Sequence, residues 1–157
     1  MLLKIISVSQ KAPNWILEAC KDYQKRFKRP FELELIDVPL AKRSQNSLRE
    51  KWLDQENLKL RKHFSDEDLV VALDVRGTTL SSEQFAEQLR CWQPHHSRVC
   101  FLIGGPDGLD PSCLERAQLR LSLSKMTLAH GLAKVMLVEQ LYRAWSLTAG
   151  LPYHRGN

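Results

Sequence analysis

The stretch at residues 99–110, which reads VCFLIGGPDGLD, decides the fold. It begins with five apolar residues and runs directly into the turn sequence Gly-Gly-Pro-Asp-Gly. A short, unbroken apolar run that ends in turn residues is typical of a strand buried on both faces of a parallel sheet. The glycines allow a sharp turn and a close approach to another group, and Asp110 can cap a helix that begins at Pro111. This order predicts either a plain tight turn or one wall of a ligand site at the carboxyl end of the strand.

Strand patterns recur on both sides of this stretch. The run at 69–73, LVVAL, is a second continuous apolar segment, and residues 31–38 begin with alternating apolar and acidic side chains. The predicted strands are 2–8, 31–38, 69–73, 99–103 and 119–123. Helical patterns lie between them, so the chain is predicted to be an α/β protein with a mainly parallel sheet and helices on both faces. Its length of 157 residues fits one domain spanning residues 1–157.

Helix boundaries have local signals of their own. The spacing of a capping box, with Ser followed three residues later by Glu or Gln, marks two helix starts, at Ser47 and at Ser81. The last helix is predicted from about Leu132 to Ala149, with Gly150 ending it. The loops after the strands at 69–73, 99–103 and 119–123 are expected to meet at one edge of the sheet and form a pocket for a small ligand.

Charge is distributed unevenly along the chain. The formal net charge is +5, but residues 1–62 hold 14 Lys and Arg against 8 Asp and Glu, whereas residues 63–157 hold 9 against 10. A basic half beside a neutral half favours a polyanionic partner such as nucleic acid, because phosphate contacts dominate affinity for nucleic acids. Lysines scattered over a solvated surface are the alternative explanation.

Several classes of site have no support in the sequence. The four cysteines form no CxxC pair and no metal-ligand spacing with histidine, so no metal is expected, and buried thiols in a reducing cytoplasm are predicted. The apolar start of the chain is too short for a signal peptide and reads as a first strand. No stretch approaches the roughly 20 apolar residues that span a bilayer, so we expect a cytoplasmic protein without a membrane partner.

Four ordered motifs carry a more specific resemblance. They read LIGGPDGL at 102–109, LSLSKMTL at 121–128, VEQLYRAW at 138–145 and PYHR at 152–155. Together with Lys11-x-Pro13-x-Trp15, the Lys42-Arg43 loop and the overall length, they resemble the ribosomal RNA large subunit methyltransferase H family of the SPOUT superfamily. The resemblance runs from end to end, with two departures: Ala129 stands where the family often has proline, and Lys134 where it often has arginine.

The resemblance implies a fold, a reaction and partners. It implies an α/β domain whose C-terminal part forms a deep trefoil knot, and a homodimer. It implies S-adenosylmethionine as methyl donor and N3 of a pseudouridine in large-subunit ribosomal RNA, within the assembled ribosome, as acceptor. Periodicity and spacing alone indicate no knot, and general rules of chain topology argue against assuming one.

The resemblance also assigns roles to residues. The cofactor pocket would use residues at the ends of three strands: Leu73, Gly104, Gly105, Leu123, Ser124, Lys125, Met126, Thr127 and Leu128. Lys125 and Met126 would contribute backbone groups. The tail Tyr153, His154 and Arg155 would reach the pocket of the partner subunit and form the catalytic group. Candidate substrate contacts are Arg143, His130, Lys42 and Arg43, although Arg143 is also spaced to pair with Glu139 on one helix face.

Methyl transfer from a sulfonium needs an aligned nucleophile, and here also the removal of a proton from N3. His154 is the predicted base, because the ordinary pKa of histidine lies nearest neutrality, and Arg155 would stabilise the developing anion or hold a phosphate. Two other classes of function stay open. One is a non-catalytic ribosome or RNA-binding module, and the other is a nucleotide-dependent enzyme, which the absence of GxGxxG and GxxxxGK[ST] disfavours.

Overall fold

The computed structural model describes residues 1–155, with side chains as far as Tyr153. Strands and helices alternate along it, as predicted from the sequence. The strands are β1 (Leu2–Val8), β2 (Glu32–Val38), β3 (Leu69–Thr79), β4 (Arg98–Ile103) and β5 (Leu119–Ser122). The helices are α1 (Asn14–Arg26), α2 (Arg49–Arg61), α3 (Ser82–Trp92), α4 (Pro111–Arg116) and α5 (His130–Thr148), and a short 3-10 helix follows at Pro152–Arg155.

The five strands form one parallel sheet in the order β2-β1-β4-β3-β5. The strand that leads into the glycine turn, β4, lies at its centre: Phe101 stands opposite Ile5 of β1 on one side and Val71 of β3 on the other. All three side chains are fully buried. The continuous apolar runs therefore correspond to central strands, which confirms the interpretation of 69–73 and 99–103 as buried parallel strands.

The direction of each crossover decides which face its helix covers. The connections from β1 to β2 and from β3 to β4 step one way along the sheet, and the connections from β2 to β3 and from β4 to β5 step the other way. Because such crossovers are right-handed, opposite steps place their helices on opposite faces. The two buried clusters agree: α1, α3 and α5 pack on one face, and α2 and α4 on the other. The predicted helices on both faces are confirmed.

Two element boundaries differ from the sequence prediction. Strand β3 continues to Thr79 instead of ending at Leu73, because its far half pairs with β5 after a register shift between Leu73 and Thr78. The Ser47 capping box is absent. Helix α2 has Leu48 at its N-cap without a side-chain cap, and the Ser47 hydroxyl bonds the Trp52 indole N–H instead. Competing partners close in the fold override both local patterns.

Other local predictions hold. Ser81 and Gln84 form the predicted capping box, with Gln84 N–H donating to the Ser81 hydroxyl at 3.1 Å and Ser81 N–H donating to the Gln84 side chain at 2.8 Å. Helix α5 begins at His130, two residues before the predicted start. The trefoil knot implied by the resemblance stays a prediction, because the strand order alone does not define how the chain threads.

The cysteine prediction needs one correction. Three thiols are buried as expected, but Cys91 is exposed. It lies on α3, whose buried side chains include Phe85 and Leu89, and position 91 falls on the opposite side of that helix. Burial, followed by the nearby Asp68 carboxylate, raises the pKa of Cys100 to about 12, which makes this thiol unreactive.

Asp68 links the residues before β3 to the start of β4 through hydrogen bonds. Its side chain is 3% exposed and accepts hydrogen bonds from Ser65 N–H at 2.7 Å and from Arg98 Nε at 2.5 Å. Burial alone would raise the pKa of this carboxyl group. The hydrogen bonds and the Arg98 charge outweigh burial and hold the pKa of Asp68 below its ordinary value.

We expect acid to remove this contribution. Since Asp68 ionises more readily in the folded chain, its stabilisation is complete above a pH of about 4 and disappears as the pH falls through the lower folded-state pKa. Asp68→Asn is expected to reduce the free energy of unfolding at neutral pH by about 2 kcal/mol, a difference that shrinks in acid. Urea unfolding at a series of pH values measures the loss of unfolding free energy and its change with pH. Asp54→Asn, which alters an exposed carboxylate, is the control. An equal loss at every pH would contradict the ionic explanation.

Candidate functional site

A cleft of about 170 Å³ opens beside the carboxyl ends of β4 and β5 and the part of β3 where its register against β5 shifts. The three predicted segments meet there, but Asp74 and Val75 belong to β3 itself and not to a loop that follows it. The lining combines apolar side chains, backbone from the glycine turn and a few polar groups: Leu73, Asp74, Val75, Ile103, Gly104, Gly105, Gly108, Leu121, Ser122, Leu123, Ser124, Met126, Thr127, Leu128, His130 and Ala133.

The glycine turn forms the central wall. A Cβ on Gly104 would lie 2.4 Å from the carbonyl carbon of Gly108, so the close approach that this glycine permits is between the two limbs of the turn itself. Gly108 has a φ of +80° and its N–H donates to Gly105 O at 3.0 Å. Asp110 then caps α4 by accepting Ser112 N–H at 2.8 Å, as predicted. The turn is both a tight turn and a cleft wall.

The third wall is the segment between β5 and α5. Serine hydroxyls shape it: Ser122 donates to Ser124 O at 2.9 Å, and the Ser124 hydroxyl accepts Met126 N–H at 2.9 Å. Met126 borders the cleft with 77% of its surface exposed, whereas Lys125 is exposed and lies outside the lining. Helix α5 starts beside this wall, and no side chain among residues 1–153 caps its N-terminus.

Two residues that line the cleft, one polar and one apolar, were not singled out from the sequence. Asp74 lines it, and its Oδ1 accepts Arg76 N–H at 3.0 Å. Val75, which also lines the cleft, is a large apolar side chain left 53% exposed. The available signal was their position directly after a buried strand, where parallel sheets place ligand contacts.

The residue Tyr153 lies away from the cleft of its own chain. Its hydroxyl is 3.0 Å from the Tyr23 hydroxyl and 3.1 Å from Glu139 Oε1, and its ring packs edge-on against Tyr142. Burial and the hydrogen bonds to Tyr23 and Glu139 raise the pKa of Tyr153, so the phenol is neutral. The backbone of His154 and Arg155 continues the 3-10 helix, but their side chains lie outside the described part of the structure.

The candidate substrate contacts occupy different surroundings. Arg143 donates to Glu139 Oε1 from Nε at 3.0 Å and from the terminal nitrogen at 2.6 Å, and its guanidinium lies 5.0 Å from the Tyr153 ring centre. The alternative pairing predicted on the helix face is thus present. His130 is exposed at the cleft, and Lys42 is exposed on its loop. Arg43 is engaged by Glu56 and Asp107.

Comparison with known proteins identifies the family. The family described as "Predicted SPOUT methyltransferase" matches residues 1–154. The chain belongs to the SPOUT methyltransferases. Its parallel five-stranded sheet with flanking helices agrees with that assignment.

Curated relatives of this SPOUT methyltransferase match it over their full length. A protein of Francisella philomiragia is 39% identical over 155 residues, which cover 99% of this chain and 100% of the relative. Proteins of Alkalilimnicola ehrlichii and Hahella chejuensis are 43% and 41% identical, covering 99% of both chains in each pair. All three are named "Ribosomal RNA large subunit methyltransferase H". The resemblance predicted from the sequence motifs is confirmed.

Within the described residues of this methyltransferase, no group of three or more His, Cys, Asp and Glu side chains is placed to hold a metal ion. The same part of the chain contains no helix with the length and apolar character needed to cross a bilayer. What the SPOUT methyltransferase does contain at the ends of its central strands is a small, partly apolar cleft lined by a carboxylate and by the backbone of the glycine turn, which suits an organic ligand with both apolar and polar parts.

Proposed function

We propose that this chain uses S-adenosylmethionine to methylate N3 of a pseudouridine in large-subunit ribosomal RNA, within the assembled ribosome. The observation that carries the proposal is the cleft formed by the ends of β4 and β5 and the Leu73–Val75 part of β3, in a SPOUT methyltransferase whose full-length relatives are named for large-subunit ribosomal RNA. We take residues 1–157 as one catalytic domain acting in the cytoplasm, where ribosomes are found.

The cleft residues fit the proposed donor. Apolar side chains of Leu73, Leu123 and Leu128 can enclose a purine ring, and the backbone groups of Gly104 and Gly105 are close enough to the surface to bind its polar edge. Ser124, Met126 and Thr127 supply further lining, with Lys125 offering its backbone from outside the cleft. The donor supplies an electrophilic methyl group on a positively charged sulfur. The Asp74 carboxylate at the cleft is compatible with a cationic ligand.

The tail would complete the site from a second copy of the chain. Tyr153 is held by Tyr23 of α1 and Glu139 of α5 and does not line the cleft of its own chain. A homodimer that brings the tail of one subunit to the cleft of the other would resolve this separation. His154 would then accept the N3 proton, and Arg155 would stabilise the charge that develops on the base. Tyr153 would anchor the tail.

The acceptor would be held by cations near these sites. Lys42 lies in the basic N-terminal half and Arg143 and His130 lie on α5, whereas Arg43 is already engaged by Glu56 and Asp107. Phosphate contacts from several such residues would make ribosome binding weaken steeply with added salt. The same basic half favours the second candidate function, a ribosome-binding module without catalysis.

One experiment separates these functions. Ribosomes lacking the modification, and free ribosomal RNA alongside, are incubated with the protein and donor labelled on its methyl group. We expect label at a single pseudouridine, in ribosomes and not in free RNA. Donor binding without transfer would mean a different acceptor. Saturable ribosome binding with no donor binding would overturn the enzymatic proposal in favour of the binding module.

A further inference from the structure

The tip of the glycine turn is held from outside the cleft by two arginines. Arg43 donates to Asp107 Oδ2 at 2.7 Å. Arg49 donates to the backbone carbonyl of Asp107 at 2.7 Å, and its Nε lies 3.6 Å from Oδ1 of the same side chain. The partners are about sixty residues apart in sequence, so these contacts fix the turn to the segment that leads into α2.

Arg43 is itself fixed by a buried carboxylate. Glu56 on α2 is 2% exposed, and its Oε1 accepts from Arg43 at 2.5 Å and from Ala41 N–H at 3.0 Å. Arg43 also donates to Ala41 O at 2.7 Å, and its guanidinium lies 5.4 Å from the centre of the Trp52 ring. With three hydrogen bonds to groups of the protein, Arg43 has a defined orientation that a fully exposed arginine lacks.

The cluster of Arg43, Glu56 and Asp107 lies directly behind the cleft wall that the glycine turn forms. Glu56 Oε2 lies 3.8 Å from the point where a Cβ on Gly105 would be, and Gly105 lines the cleft on its other side. That oxygen is buried and has no hydrogen-bond partner among the described residues. The next residue on α2, Asn57, donates to the Ser112 hydroxyl at 2.8 Å, which braces the start of α4 just after the turn.

A turn with three glycines needs such support. Glycine has more backbone freedom to lose than any other residue, so an unsupported turn would sample many shapes, and a ligand would bear the ordering entropy when it binds. Fixing the wall before binding reduces that penalty. Arg43, Glu56 and Asp107 supply this support from outside the cleft.

We propose that Arg43 is a positioning residue: held by buried Glu56, it keeps the Gly104–Gly108 turn in the shape that binds the methyl donor, and its main role is not an RNA contact. This rests on the proposed function, in which the donor occupies the cleft. It predicts that loss of the Arg43–Asp107 contact weakens donor binding without slowing transfer from the bound donor.

Arg43→Gln and Asp107→Asn test this, with Lys51→Gln as a control that removes an exposed cation from the same region. Calorimetry on the free protein is expected to show donor dissociation constants about tenfold higher for both variants, and unchanged for the control. The rate at saturating donor is expected to match wild type. The double variant should equal Arg43→Gln alone, because that change already removes the contact with Asp107. Arg43→Lys, which keeps the charge, should restore part of the affinity.

Amide hydrogen exchange in the donor-free protein gives an independent readout. Arg43→Gln is expected to speed exchange at Gly105, Asp107 and Gly108 by about tenfold, with β4 unaffected. Unchanged donor affinity together with weaker ribosome binding would overturn the inference and assign Arg43 to RNA. If wild-type protein binds no donor, the proposed function fails, and unchanged exchange in the variants would then reject the support of the turn as well.

Discussion

Gly104→Ala is expected to weaken donor binding by about 10- to 100-fold. A Cβ at this position would lie 2.4 Å from the carbonyl carbon of Gly108 and 2.7 Å from Leu109 N, and these are backbone atoms that cannot rotate away. The two limbs of the turn must separate, and the limb nearer the cleft carries the backbone groups proposed to bind the donor. Equilibrium binding of the donor to the purified variant measures the effect.

A second glycine provides the matched control. Gly150 follows α5, has a φ of +68° and has open space around its Cβ position. Gly150→Ala is expected to reduce the free energy of unfolding by about 1 kcal/mol through backbone strain, and to leave donor affinity unchanged. If Gly104→Ala binds the donor like wild type while unfolding at lower denaturant, the glycine turn is not a wall of the donor site.

His154→Ala is expected to reduce the rate of methyl transfer by about 100- to 10⁴-fold and to leave donor affinity unchanged. The reason is chemical: N3 of the acceptor carries a proton that must leave as the methyl group arrives, and an imidazole is the tail group best matched to that step near neutral pH. Single-turnover transfer to unmodified ribosomes measures the rate.

Two further variants serve as comparisons for His154→Ala. His154→Gln, which can hydrogen-bond but not accept the proton, should be as slow as His154→Ala. His95→Ala, in the exposed loop before β4, should transfer at the wild-type rate. Full turnover by His154→Ala would remove the base from the mechanism, and weaker ribosome binding with normal chemistry would make His154 a residue that positions the RNA.

Most of the fold was predictable because its signals are local. The apolar runs at 69–73 and 99–103 and the capping box at Ser81 depend on neighbours in sequence, and all three appear as expected. The failures depend on partners that the local patterns do not encode. Strand β3 extends to Thr79 because β5, about forty residues further along the chain, pairs with it. Ser47 bonds Trp52 of α2 instead of capping that helix, because the indole N–H competes for the same hydroxyl.

The residues of the candidate site also fall into two groups: those that the sequence could assign and those that only the fold reveals. Leu73, Gly104 and Leu123 were placed by matching motifs, and the sheet brings all three to one cleft. The contact between Arg43 and Asp107 was not predictable, because it joins residues 64 positions apart with no repeating pattern between them. Arg43 read from the sequence is a basic loop residue, and only the fold supplies its two carboxylate partners.

The lining of the cleft runs from Leu73 to Ala133, so it draws on three strands and the start of a fourth segment, α5. Such a surface exists only while those strands are paired, and any molecule that fills it therefore binds the native state and not the unfolded chain. By thermodynamic linkage, a ligand at 100 times its dissociation constant would add about 2.7 kcal/mol to the stability of the whole sheet. A shift in melting temperature would thus report occupancy of this cleft for candidate donors and inhibitors alike.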